Sequence, residues 1–146
     1  MPNYTQDADI LKYRPELANY DLEYLDEYHT QATLEINQSL EAFWYRAAAD
    51  DKGIDWQETE FDQDLLLNSD TQIKKLACYR VLYLIFASLA NEVDGSYSAL
   101  RDYYDKLYHN EFEEALKRGI NYDWDKSGAI DADEKAKKSR KRLVRV

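Results

Sequence analysis

The chain has 146 residues, enough for one domain with a sizeable core, and its 29 Asp+Glu against 19 Lys+Arg leave a net charge of −10. Two prolines and four glycines exclude a turn-rich all-β sandwich, a collagen-like repeat and a low-complexity linker, and the single cysteine excludes an internal disulfide framework and a Cys-rich zinc site. The longest strongly apolar run, 81–86, is too short to span a bilayer, the polar start MPNYTQDADI carries no secretory signal, and the acidic balance disfavours an extended nucleic-acid groove.

In chain order, Thr5 is placed to cap a short helix over residues 7–13, which Pro15 stops. A long helix is predicted over 21–49. Its apolar stripe is Leu22, Leu25, Ala32, Ile36, Leu40, Phe43 and Ala47, with His29 filling the one gap. At 1.5 Å per residue it would be roughly 43 Å long, a helix that reaches beyond its own core. Asp50, Asp51, Lys52 and Gly53 end it. Residues 54–67 read as irregular or holding a short helical turn, an acidic surface loop pinned by Trp56 and Phe61. Asn68, Ser69 and Asp70 then precede a helix over 71–93, which is apolar on several faces and therefore central or at an oligomer interface. After a turn at Asp94, Gly95 and Ser96, a last helix is predicted over 97–118, with Gly119 at its C-terminal stop. The expected fold is all-α. It is a small bundle of three main helices plus a short N-terminal helix, with an extended C-terminal tail. The expected division is a bundle domain over 1–118 and a loop-and-tail segment over 119–146.

Charge and aromatic content are unevenly placed. Residues 135–146 hold seven Lys/Arg and no acid, whereas the preceding residues carry all 29 acids. An acidic body with a short basic tail marks an interaction segment. Thirteen tyrosines and three tryptophans are many, and such side chains suit half-buried positions and subunit interfaces. Tyr20, Tyr24 and Tyr28, which share the start of the long helix with Tyr13 nearby, are the candidate subunit interface.

Chemistry-bearing residues are sparse. His29 lies on an apolar stripe, where a hydrogen-bonded boundary residue is expected, and His109 lies on a charged face. Cys78 sits in the apolar helix, where a free thiol is inert. No phosphate-binding or nucleophile-elbow motif occurs, so no enzymatic activity is expected.

One motif has higher specificity. From Asp123 to Glu134 the chain follows the twelve-position calcium loop of an EF-hand. Asp123, Asp125 and Ser127 take positions 1, 3 and 5, and Gly128 takes the turn at 6. Ala129 offers its carbonyl at 7, Ile130 is the apolar residue at 8, Asp131 stands at 9, and Glu134 at 12 closes the shell. Calcium, a hard ion, wants six to eight oxygens at flexible distances, which this spacing wraps around one point. Three features depart from an EF-hand: Gly119-Ile-Asn-Tyr122 interrupts the incoming helix, the outgoing segment is basic, and no second hand exists. Any ion held there is expected to be weak or structural. Calcium is the only cofactor the sequence suggests.

In layout, most of the chain resembles the head-tail adaptor (connector, neck) proteins of tailed bacteriophages. The likeness runs through Tyr13-Arg-Pro15-Glu-Leu17, Leu34-Glu-Ile36-Asn-Gln-Ser-Leu40, the acidic loop, Gln72-Ile-Lys-Lys-Leu-Ala77-Cys-Tyr79, and Tyr103-Tyr104 through Glu111-Phe112. It ends with Gly119-Ile-Asn-Tyr122-Asp-Trp-Asp125-Lys-Ser-Gly128 ahead of Arg140-Lys-Arg142-Leu-Val-Arg145. The resemblance implies a small α-helical bundle that forms a ring, commonly dodecameric, beneath the portal protein. It implies a virion neck location, a tail or stopper protein on the other side, and no membrane partner. Double-stranded DNA would pass through the ring without sequence-specific binding. An acidic body lining a channel would repel DNA phosphates. The basic end (Lys138, Arg140, Lys141, Arg142, Leu143, Val144, Arg145 and Val146) is the expected portal-docking tail. The competing expectations are a calcium-binding helical module and another helical interaction or assembly factor.

Overall fold

A computed structural model describes residues 2–19, 25–92 and 95–125. The described chain is all-α, with helices α1 (Asp7–Leu11), α2 (Leu25–Leu40), α3 (Arg46–Asp51), α4 (Ser69–Gln72), α5 (Lys74–Glu92) and α6 (Ser98–Arg118). A π-helical turn, Glu41–Tyr45, joins α2 to α3 without a break, so residues 25–51 form one rod about 40 Å long. The long helix expected from the sequence is therefore present from Leu25 onward; its expected first turn lies outside the described residues. Short 3₁₀ turns occupy Pro15–Asn19, Gln63–Leu65 and Gly95–Tyr97.

Helix α5 is the centre of the bundle because it is apolar on several faces. Ile73, Leu76, Ala77, Val81, Leu82, Ile85 and Phe86 are fully buried along one continuous segment. Each large side chain of that set contributes roughly 1.5–3 kcal/mol by leaving water. The α2–α3 rod and α6 both run antiparallel to α5. At one end of the molecule, the start of α5 meets Ile36, Leu40, Trp44, Tyr45 and Ala49 of the rod and Tyr108 and Ala115 of α6. At the other end, Val81 to Phe86 meet Ile10, Leu17, Ala32 and Tyr104.

The structure moves several boundaries, each for a local reason. Helix α1 ends at Leu11, and Gln6 rather than Thr5 stands at its N-cap. The Gln6 N–H donates to the Asp9 carboxylate at 2.8 Å, closing the first turn, while Thr5 is drawn inward toward His29. Pro15 opens a 3₁₀ turn in addition to following the helix. The apolar helix is broken once: α4 is a single turn that starts at Asn68 with φ 53°, and Ile73 separates it from α5. The expected last helix starts one residue later, at Ser98, whose hydroxyl donates to the Gly95 carbonyl.

The largest correction concerns Phe43. The sequence stripe placed Phe43 and Ala47 in the core; instead Phe43 is 70% exposed, and Trp44, Tyr45 and Ala49 are buried. The π turn is the cause. It inserts one extra residue into the helical register, so a face that carries Ile36 and Leu40 continues through 44, 45 and 49 rather than 43 and 47.

Candidate functional site

The helical body does not end with α6. Gly119, at φ 89° and ψ 137°, turns the chain off the helix axis, and the next residues run extended along residues 65–67. Leu66 and Tyr122 form an antiparallel bridge. The Leu67 N–H donates to the Asn121 carbonyl at 3.1 Å, and the Asp123 N–H to the Leu65 carbonyl at 2.8 Å. Gln72 clamps the pair: its amide nitrogen donates to the Leu67 and Asn121 carbonyls, and its amide oxygen accepts from the Asn121 N–H. Ile120 and Tyr122 are buried in the same core as α2 and α5. The packed body thus takes in residues 119–125, and the division at 118 does not coincide with a break in packing.

Five aromatic side chains close this end of the bundle. Tyr45 stacks on Trp124 with centroids 5.6 Å apart and planes within 5°. Phe61 stacks on Tyr122 at 5.7 Å, and Trp44 meets both Tyr122 and Trp124 edge-on or tilted. The two phenols then tie down the acidic loop: the Tyr45 hydroxyl donates to the Thr59 carbonyl at 2.6 Å, and the Tyr122 hydroxyl accepts from the Asp62 N–H at 3.1 Å. Burial pushes the Tyr122 phenol up to about 12. Trp56, the other aromatic of that loop, is covered by the Arg46 guanidinium at 4.5 Å. The loop is therefore pinned by Trp56 and Phe61, as the sequence suggested.

This geometry fixes the first positions of the candidate calcium loop. Asp123 is 4% exposed and has its backbone tied to Leu65, while Asp125 is exposed. The incoming helix stops at Arg118, five residues ahead of Asp123, so the segment enters its loop from an extended bridge and not from a helix. Among the described residues, no three His, Cys, Asp or Glu side chains gather into a metal-holding group. Ser127, Ala129, Asp131 and Glu134 lie outside the described residues. So do the tail residues Lys138, Arg140, Lys141, Arg142, Leu143, Val144, Arg145 and Val146, and the interface candidates Tyr20 and Tyr24. Tyr28 is described: it is half-buried and packs against the core formed by Ile10, Val81 and Phe86.

The remaining chemistry-bearing residues have structural partners. His29 is 2% exposed; its Nδ1 lies 2.7 Å from the Thr5 hydroxyl and its Nε2 2.9 Å from an Asp7 carboxylate oxygen. A hydroxyl, an imidazole and a carboxylate in a row have the residue types of a catalytic relay. Here, however, Thr5 is itself only 3% exposed, and both ring nitrogens are engaged. The row acts as a clasp that holds the N-terminal segment to α2, alongside a bond from the Tyr4 N–H to the Thr33 hydroxyl and one between the Tyr4 hydroxyl and Asn37. Burial raises the Cys78 thiol to about 12, so it is a neutral thiol at physiological pH. His109 is exposed and lies 3.3 Å from Asp105 one helical turn earlier.

Two networks escaped the sequence reading. Arg80 on α5 reaches Glu35 of α2 at 2.9 Å and Asp105 of α6 at 3.6 Å, and its guanidinium lies 4.5 Å from the Tyr83 ring centroid and 4.9 Å from that of Tyr108. Arg14 donates to the Tyr104 hydroxyl at 2.7 Å, and Tyr104 stacks on Phe86. No periodicity announces such pairs. The return of 119–125 did carry a signal: Ile120, Tyr122 and Trp124 alternate with polar residues, the period of an extended segment.

No helix among the described residues is long and apolar enough to cross a membrane. No family model, curated protein or solved structure matches this chain.

Proposed function

We propose that this protein is a structural subunit of a tailed-phage neck, assembling as a ring between the portal and the tail or stopper and extending the DNA channel. The observation that carries the reading is the order of parts. A helical body with a rod about 40 Å long is closed by the segment 119–125, and the chain then leads into a terminus holding seven Lys/Arg and no acid. A rod of that length supplies the broad side-to-side surface a ring needs. An acidic body lets DNA slide past without sticking. The basic terminus, with seven Lys/Arg and no acid over 135–146, has the charge to meet an acidic partner surface. The test is to mix the purified protein with a candidate portal assembly and image the product by electron microscopy, with calcium and with chelator. A ring of added density under the portal is expected; no complex under either condition overturns the reading.

A calcium-binding helical module is the second reading, favoured by the match of Asp123 to Glu134 to the twelve-position loop. It takes first place if calcium raises the melting temperature of the free protein while no portal complex forms.

A further inference from the structure

Residues 2–13 are held to the body by little apolar surface. Only Tyr4, Thr5 and Ile10 among them are buried, and α1 has five residues, far short of the roughly 12–15 that a helix needs to stand alone. The bonds to α2 run through side chains. The Asn3 amide nitrogen donates to the Thr30 hydroxyl at 3.3 Å, the Tyr4 N–H to the Thr33 hydroxyl at 3.2 Å, the Tyr4 hydroxyl pairs with Asn37, and Thr5 meets His29. Two open clefts border the segment. One, toward α2, is lined by Thr5, Asp7, Asp26 and His29; the other, toward α4 and α5, by Gln6, Asp9, Asp70 and Lys74. At Arg14 the character changes. Its Nε donates to the Tyr104 hydroxyl at 2.7 Å, its guanidinium lies 5.5 Å from the Tyr104 ring centroid and 5.9 Å from that of Phe86, and Leu17 is buried just beyond it.

Cys78 lies beneath α1. Lys74, one turn before it on α5, pairs with Asp9 at 3.6 Å; Tyr79, the next residue, meets Tyr13 edge-on at 5.7 Å; and Ile10 shares its core cluster. We propose that residues 2–13 form a strap that lifts from α2 and α5 as a unit, pivoting at Arg14, while α2, α5 and α6 stay packed, and that lifting bares the otherwise sealed Cys78. Release returns backbone freedom to the whole strap. Against it stand two large apolar anchors, Tyr4 and Ile10, and side-chain bonds that water entering from the clefts can replace. The body loses none of the contacts among α2, α5 and α6, nor the backbone pairing of 65–67 with 121–123. The strap is thus a gate over one thiol: closed, α5 is covered along this side; open, the same face meets solvent. The inference does not depend on the neck reading, and neither falls with the other.

Cys78 is the chain's one cysteine, so its reaction with a disulfide reagent at neutral pH reads the gate directly. Hydrogen exchange of α5 amides over 80–88, followed by mass spectrometry on the same full chain, reads opening of the body. Thr5→Val removes the bond to His29 and should raise the Cys78 labelling rate roughly tenfold with α5 exchange unchanged. Tyr4→Phe, which removes only the bond to Asn37, tests the gate by a second route and should act in the same direction. Gly119→Ala, at the far end of the fold, should do the reverse: faster α5 exchange, by about tenfold, with Cys78 labelling unchanged. If labelling and α5 exchange rise together in all three variants, Cys78 opens only with the whole fold and the strap is rejected. Labelling that ignores both Thr5→Val and Tyr4→Phe rejects it equally.

Discussion

Arg80 shows what a single residue does when it stands between three helices. Its guanidinium neutralises Glu35, approaches Asp105 and is flanked by Tyr83 and Tyr108, and its side chain is only 18% exposed. Replacing it by methionine keeps the volume and leaves Glu35 beside apolar surface. We expect a loss of about 2 kcal/mol in urea denaturation, less than for a fully buried pair because water still reaches the site; a change under about 0.5 kcal/mol would reduce the network to surface decoration. Two other residues contribute to the alkaline limit. Tyr122 and Cys78 both have pKa values raised in the fold to about 12, by burial first. The folded chain therefore keeps protons that the unfolded chain has released, so this contribution is intact below pH 9 and is lost as pH rises toward 12. Stability measured from pH 8 to 12 should fall, and Tyr122→Phe should flatten the upper part of that fall. At neutral pH, Cys78 should react with a thiol reagent only as fast as the protein opens. The inertness of Cys78 and the hydrogen-bonded place of His29 were legible from their positions in apolar stripes. Glu35, Asp105 and Tyr108 as partners of Arg80 were not, because contacts between residues 25 to 45 apart leave no mark on local periodicity.

At the scale of elements, the π turn and the Gly119 exit decide the shape. Deleting Ala42 would remove the extra residue and restore an α-helical register through 41–51, leaving Trp44, Tyr45 and Ala49 on the face that carries Ile36 and Leu40. The urea midpoint should therefore change little, whereas inserting one further alanine after Ala42 should turn Trp44 and Tyr45 off the core and cost about 3–5 kcal/mol, as for the loss of a buried aromatic; a large loss on deletion would mean that the extra residue does not set the register. Gly119→Ala forces a side chain into φ 89° and should cost about 1–2 kcal/mol. Helix existence and order were legible because the stripes of α5 and α6 are long and regular. The π turn was not, since one extra residue changes the face of all that follows without changing composition. This is why Phe43 was placed inside and stands outside.

For the whole molecule, the all-α class was legible from few breakers and three helical stripes. The inclusion of 119–125 showed only as the alternation of Ile120, Tyr122 and Trp124; where that extended segment packs is a tertiary event with no local period. The candidate calcium loop belongs to this scale as well, since its first residue, Asp123, is anchored to the body at Leu65. If the loop holds an ion, calcium should raise the melting temperature and Glu134→Gln should abolish the rise. No shift in the unsubstituted protein at millimolar calcium would remove the ion from the account.

The closure by Tyr122 and Trp124 also has a consequence in time. Trp44 and Tyr45 are synthesised some 78 residues before Tyr122. At about 5–20 residues per second, the ribosome leaves them roughly 4–16 seconds without the rings that cover them in the finished fold. The nascent chain therefore carries an uncovered aromatic surface until Tyr122 and Trp124 have been made. A message truncated shortly after α6 would yield a protein with most of its helices and a sticky end, a substrate for chaperones and proteases.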